Sequence, residues 1–291
     1  MTGAGAWELP PLREGYAADE ALVERRARAA GSADAAERAG ETLIGGVRCL
    51  VIEPRGRDAR GEMIYLHGGG YRLGSPLAYI DYAQRIADAA GRRVTLPFYP
   101  LAPEHPFPAA LHAVVAVYRG LENRRSVVVA GDSAGGGLAA ALCILAARAG
   151  ERPAGAVLVS PMLDLTARGE SLDRNAERDP MFSKSAVLDS AQLYLQGHDP
   201  RDPLVSALEA DPANFPPTLV LTGGAEVLLD EAVAFATRLA LGDRRVTLHV
   251  APGMGHVWPL LAPETGEAQD AIAAIAGFVK ALKSTGSEDS V

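Results

Sequence analysis

The spacing of apolar positions divides the chain near residue 40. Before it, Ala17–Ala30 is rich in Ala, Glu and Arg, residues that favour helix, and Gly31 is a natural C-terminal stop. Its few apolar positions predict a helix lying on another surface rather than one with a core of its own. From Glu41 the period changes: Glu41–Glu53 alternates around Gly45-Gly46 and predicts a hairpin. Short β-branched runs then take turns with helical patterns. Strands are predicted at Met63–Leu66, Arg93–Tyr99, Val127–Ala130, Ala156–Ser160, Thr218–Thr222 and Val246–Val250. Helices are predicted at Ala78–Ala90, Ala109–Leu121, Ala134–Arg148, Asp230–Leu241 and Ala268–Leu282. That rhythm predicts an α/β fold with a mostly parallel central sheet and helices on both faces. The last strand is expected at a sheet edge. Residues 165–215 break the rhythm with polar loops and one helix candidate, Ser185–Gln196, as an insertion forming a lid or cap does. Ser284–Val291 reads as a frayed tail.

Composition narrows the class. With 291 residues, length alone predicts about two domains, or one large domain with an attachment. The chain is 48% hydrophobic and 22% charged, which excludes wholesale disorder. A net charge of −8 argues against nucleic acid or an anionic membrane as partner, since both call for clustered Lys and Arg. The two cysteines, Cys49 and Cys143, lie in apolar patterns and read as buried free thiols. No metal-binding spacing is present, and neither a metal nor an organic cofactor is expected. Residues 1–5 lack the basic and apolar regions of a signal peptide, and the apolar run Leu138–Ala147 is too short to cross a bilayer. A cytoplasmic location is the resulting expectation.

In open α/β sheets ligands bind beyond the carboxyl ends of the strands, so the residues following each strand carry the candidate chemistry. After Val127–Ala130 comes Gly131-Asp132-Ser133-Ala134-Gly135-Gly136, a G-x-S-x-G pattern leading into a helix. It predicts a serine on a strained strand-to-helix turn, its hydroxyl exposed at the positive end of the helix dipole. After Met63–Leu66 comes His67-Gly68-Gly69-Gly70-Tyr71, a loop whose backbone N–H groups can approach a substrate oxygen. A serine nucleophile needs a base. Of the six histidines, His256 lies in a Gly-rich loop after the last strand, the position such a base occupies. His249 falls inside a strand pattern, and the others lie in loops or helices without that context. The acid is Glu226, just past the strand Thr218–Thr222, or Asp230 four residues on, whose alternative role is an N-terminal cap of the next helix. Glu231 reads as a solvated helix residue.

Together these residues resemble the hormone-sensitive lipase family of α/β-hydrolases, in its bacterial carboxylesterase branch. His67–Gly70 is similar to its HGGG motif, and Gly131–Gly136 reads GDSAGG, its nucleophile motif. Tyr99–Ala109, Ser160–Asp164 and Asp199–Ser206 also resemble family segments, with Pro100 in place of Arg and Ala207 in place of Pro. The resemblance implies an α/β-hydrolase fold with a helical cap. The catalytic domain would comprise residues 41–169 and 206–291, and the cap residues 1–40 and 170–205. It implies Ser133 as nucleophile, His256 as base and Glu226 as acid, with the N–H groups of Gly69, Gly70 and Ala134 as the oxyanion hole. Glu104 and Asp132 would be structural. The implied activity is hydrolysis of short-to-medium acyl esters, the partner being a small-molecule ester. A lactonase, amidase or deacetylase on the same residues is open, and a non-catalytic receptor on this fold is a rival that the presence of His256 disfavours. Met181, Phe182, Leu193 and Tyr194 are candidate pocket residues, and a homodimer through the last strand is a possible assembly.

Overall fold

The computed structural model describes residues 7–32 and 37–282; the expectations for residues 1–5 and for Ser284–Val291 lie outside the described residues. The first predicted helix is α1 (Glu20–Ala29), begun by Asp19, whose side chain accepts from the Leu22 N–H. Leu22 is its single buried residue, as expected of a helix lying on a surface. The hairpin is β1 (Gly40–Ile44) and β2 (Val47–Ile52), paired antiparallel with Ile44 opposite Val47. There follow β3 (Glu62–Leu66), α2 (Ile80–Ala90), β4 (Arg93–Pro97), α3 (Ala109–Gly120), β5 (Val128–Asp132), α4 (Ser133–Arg148) and β6 (Gly155–Val159). The remaining elements are α5 (Ser171–Arg174), α6 (Lys184–Leu195), β7 (Thr218–Gly223), α7 (Leu229–Leu241), β8 (Val246–Ala251), α8 (Trp258–Leu261) and α9 (Gly266–Ala281).

The strands form one eight-stranded sheet in the order β1-β2-β4-β3-β5-β6-β7-β8. The pairs β1–β2 and β2–β4 are antiparallel, and all others are parallel. Strand alternation explains why the central strands read as continuous apolar runs: β3 sends Ile64 and Leu66 into one core and Met63 and Tyr65 into the other. Val114 of α3, Leu142 of α4 and Phe235 of α7 pack in the first core, while Ile86 of α2 and Ile275 of α9 pack in the second. The strand β8 is an edge, and its Leu248 and Val250 are exposed.

Two short helices, α5 and α8, leave no mark in the apolar pattern because four residues cannot display a helical period. The predicted helix at Ala78 begins instead as a 3-10 turn, Pro76–Tyr79, capped by Ser75, before α2 takes over. The helix α4 is buried from Ser133 to Ala146, and its Ala- and Gly-rich start lets it press against β3. A Cβ on Gly135 would lie 2.0 Å from the Leu66 carbonyl oxygen, so no other residue fits at that crossing. This packing draws the carboxyl ends of β3, β5 and β7 together on one side of the sheet.

Candidate active site

At the end of β5 the chain reverses at Ser133, which has φ 51, a left-handed conformation that L-residues with a side chain seldom adopt. The turn holds Oγ 3.0 Å from Nε2 of His256, which arrives on the loop after β8. Both residues are buried. A neutral ring with its proton on Nδ1 accepts the Ser133 hydroxyl at Nε2. Burial pushes the His256 pKa down to about 4, with Asp179 opposing, so the neutral base form dominates across physiological pH. The Phe182 ring stacks on the imidazole with centroids 4.8 Å apart and planes within 12°.

On the far side of the ring, Nδ1 lies 4.0 Å from Glu226 Oε2 and has no hydrogen-bond partner among the described residues. That gap is too long for a hydrogen bond. Glu226 is fully buried. Its Oε2 accepts from Ser160 Oγ and its Oε1 from Thr222 Oγ1, each at 2.6 Å. Burial still pushes its pKa up to about 7 against those two bonds. Ser160 Oγ also accepts from the Val257 N–H at 3.0 Å, so one hydroxyl ties the carboxylate to the residue after the imidazole.

The glycine loop lies opposite. Gly69 and Gly70 have φ 119 and 61, and a Cβ on Gly70 would meet Ser190 Oγ at 2.4 Å. Their N–H groups donate to no protein acceptor among the described residues, and the Ala134 N–H lies in the first turn of α4, where no intrahelical acceptor exists. The buried Asp132 carboxylate fastens this loop to the serine turn: it accepts from the Gly68 N–H at 3.1 Å, Tyr65 Oη at 3.2 Å and Tyr79 Oη at 3.0 Å. His67 is a support of the same loop. It stacks on Tyr99, whose hydroxyl donates to the His67 carbonyl, and burial lowers its pKa to about 4.

Gly69, Gly70, Ser133, Met181, Phe182 and His256 border a cavity of about 300 Å³. A wider, more open depression of about 480 Å³ near Tyr16, Gln196 and His198 holds none of these groups. Residues 63–260 match the profile of a family described as alpha/beta hydrolase fold. An acetyl-hydrolase of Streptomyces hygroscopicus is 38% identical over 240 residues, 81% of this chain and 80% of that protein. A crystal structure of an esterase from the bacterial hormone-sensitive lipase family is 37% identical with a TM-score of 0.81, covering 91% of this chain and 99% of that one. The chain is an α/β-hydrolase of the hormone-sensitive lipase family. Another solved structure, EstE5 soaked with p-nitrophenyl butyrate, is 32% identical with a TM-score of 0.82, over 94% of this chain and 93% of that one.

Within this family fold, the competing carboxylates of the acid loop separate clearly. Glu226 is the one carboxylate among the described residues within 4.0 Å of the imidazole. Asp230 points elsewhere: its Oδ2 accepts from the Ser171 N–H at 2.8 Å and its Oδ1 pairs with Arg174 at 2.5 Å. It therefore fastens α5 from outside and does not cap its own helix as expected, since α7 has no side-chain cap. Glu231 corrects a second expectation. It is buried, not solvated, and accepts from the Leu163 N–H at 2.7 Å, with burial raising its pKa well above the usual range.

The pocket candidates divide. Met181 and Phe182 border the cavity, whereas Tyr194 is in the core, stacked on Tyr71 with centroids 3.8 Å apart, and Leu193 packs against that core. Three contributors escaped the sequence. Ser160 begins a family-like segment, but nothing in its spacing marks its bond to Glu226. Asp179 accepts from the N–H groups of Val227, Met181 and Phe182, joining the acid loop to the ring that covers His256. Asn175 donates to the Glu226 carbonyl at 2.8 Å. No helix among the described residues is long and apolar enough to cross a membrane.

Proposed function

We propose that this protein is a serine carboxylesterase cleaving short-to-medium acyl esters, with Ser133 as nucleophile, His256 as base and Glu226 as acid. The observation carrying this reading is the 3.0 Å approach of His256 Nε2 to the hydroxyl of a serine on a left-handed turn. His256 takes the hydroxyl proton as Ser133 Oγ attacks the ester carbonyl carbon. Glu226 stabilises the imidazolium and fixes its tautomer. The N–H groups of Gly69, Gly70 and Ala134 receive the oxyanion, each contributing about 3 kcal/mol in the transition state. The alkoxide leaves with the proton returned by His256, and water repeats the sequence on the acyl-enzyme. Two relatives, an acetyl-hydrolase and EstE5 soaked with p-nitrophenyl butyrate, support small acyl groups. A cavity of about 300 Å³ agrees, being at the small end of ligand pockets.

Residues 1–40 and 170–205 form the cap in this reading. Arg26 of α1 pairs with Glu104 at 2.5 Å, and Asp179 bonds the acid loop, so both segments rest on the catalytic side of the sheet. The expected measurement is turnover of p-nitrophenyl acetate and butyrate with kcat/KM about tenfold above that of the decanoate, whose longer chain would overfill a cavity of about 300 Å³. Failure to cleave any of them, with no fluorophosphonate labelling, would return the chain to the receptor reading.

A homodimer through β8 is part of the same proposal. An exposed edge strand carrying Leu248 and Val250 supports it. Sedimentation should give twice the chain mass, and Val250→Lys should return it to one. Free, buried Cys49 and Cys143 support a cytoplasmic location, which cell fractionation checks.

A further inference from the structure

Arg72 stands two residues beyond the glycine loop, and its surroundings are unusual for an arginine. It is only 6% exposed. Its Nε donates to Ser190 Oγ on α6 at 3.2 Å, and that hydroxyl donates onward to the Ala186 carbonyl at 2.7 Å, leaving its lone pair for Arg72. From α1, Arg26 Nε donates to the Arg72 carbonyl at 2.8 Å, fixing the backbone. A Cβ on Gly70 would lie 3.6 Å from Arg72 Nε, so the guanidinium sits beside the glycine loop. The two terminal nitrogens donate to no protein acceptor, and no carboxylate lies at ion-pair distance, among the described residues, and both nitrogens stay open to solvent at the cavity. Arg72 borders the same cavity as Ser133 and His256, and exposed Arg25 of α1 borders it too.

A guanidinium partly withdrawn from water with no counter-charge beside it is costly, and an anion bound in the cavity would offset that cost. Burial and the like charge of Arg25 both push the Arg72 guanidinium below its ordinary range, with Asp189 opposing. Two cations facing one small cavity, one of them locked through Nε with its terminal edge free, match the two oxygens of a carboxylate. We propose that Arg72, with Arg25 at the rim, is an anion subsite of the active-site cavity, and that the preferred substrates are esters carrying a carboxylate. This rests on the esterase reading above and adds the substrate's charge to it.

The test compares charged and neutral esters of similar shape. On the acyl side the pair is mono-p-nitrophenyl glutarate and p-nitrophenyl butyrate. On the alcohol side it is 4-acetoxybenzoate and phenyl acetate. In at least one pair the wild-type protein should favour the charged ester in kcat/KM, and the pair that responds tells which side of the scissile bond faces Arg72. Arg72→Met should lower the charged-to-neutral ratio about 10- to 100-fold, mainly through KM. Arg25→Gln should lower it about two- to fivefold, an effect that vanishes in high salt. Glutarate should inhibit neutral-ester hydrolysis competitively in the wild type, which keeps the test sound if Arg72→Met does not fold. Equal loss on both members of each pair, meaning that Arg72 only anchors α6, overturns the subsite, as does neutral-ester cleavage with neither charge preference nor glutarate inhibition. If none of the four esters is cleaved and fluorophosphonate leaves Ser133 unlabelled, the esterase reading falls and the subsite with it.

Discussion

Replacing Ser133 with alanine is expected to lower kcat on p-nitrophenyl butyrate by about five orders of magnitude, as removal of the nucleophile does in serine hydrolases that use a base and an oxyanion hole. The residual rate would come from the N–H groups and cavity, which remain. The fold should survive, because among the described residues Ser133 Oγ bonds a single partner, His256 Nε2, and the backbone bond from the Met162 N–H to the Ser133 carbonyl is untouched. Alanine keeps the strained φ of 51, so the turn is neither relieved nor worsened. The unpartnered imidazole nitrogen costs about 1–3 kcal/mol, less than a domain of this size needs to unfold. Initial rates, labelling by a fluorophosphonate and a melting curve together check this. A variant retaining more than about a hundredth of wild-type kcat, with its fold intact, would remove Ser133 from the mechanism.

The sheet was legible because its strands are apolar on both faces and its turns are marked by glycine. The serine and histidine were legible because each follows a strand in a glycine-rich loop that has little other use. The acid loop is a different matter. Glu226, Asp230 and Glu231 lie within six residues, and composition cannot tell which carboxylate is buried beneath the imidazole, which is outside and which serves a backbone N–H of Leu163. That sorting depends on where β7 ends and α7 begins relative to the loop after β8, which is tertiary information. Ser160, Asp179 and Arg72 were illegible for the same reason. Each acts across at least forty residues of sequence, and no local spacing encodes a partner that distant.

Asp179, in the segment that interrupts the α/β rhythm, reaches the candidate site without touching the serine. Its carboxylate orders Phe182, which stacks on the imidazole, and holds the Val227 N–H directly after Glu226. The segment therefore adds Phe182 to the burial that lowers the His256 pKa, which the Asp179 charge opposes, and the same charge raises Glu226. A base on an open surface would be half protonated near pH 6.5; here, closing the ring under Phe182 moves the proton equilibrium away from that point.

That shift makes Glu226→Gln the second large effect, with a fall in kcat/KM of about three to four orders of magnitude, since an imidazolium formed beside a neutral amide has lost its counter-charge. The substitution preserves shape. Ser160 can still donate to the amide oxygen while accepting from the Val257 N–H, and the Thr222 hydroxyl can turn to accept from the amide NH₂. The pH dependence follows from the same pair. With Glu226 raised to about 7 and His256 lowered to about 4 by burial, the first proton taken up on acidification goes largely to the carboxyl, and activity declines from neutrality downward. The apparent pKa of that limb belongs to the pair, because one proton is shared between two coupled groups. In Glu226→Gln the carboxyl no longer titrates, so the upper part of the limb should disappear and a low rate should run nearly level from about pH 5 to 8. Asp230→Asn should leave the limb in place and reduce kcat/KM by less than about fivefold, since its partners are Ser171 and Arg174 on α5. If instead Asp230→Asn abolishes activity while Glu226→Gln retains it, the carboxylate serving His256 has been misassigned.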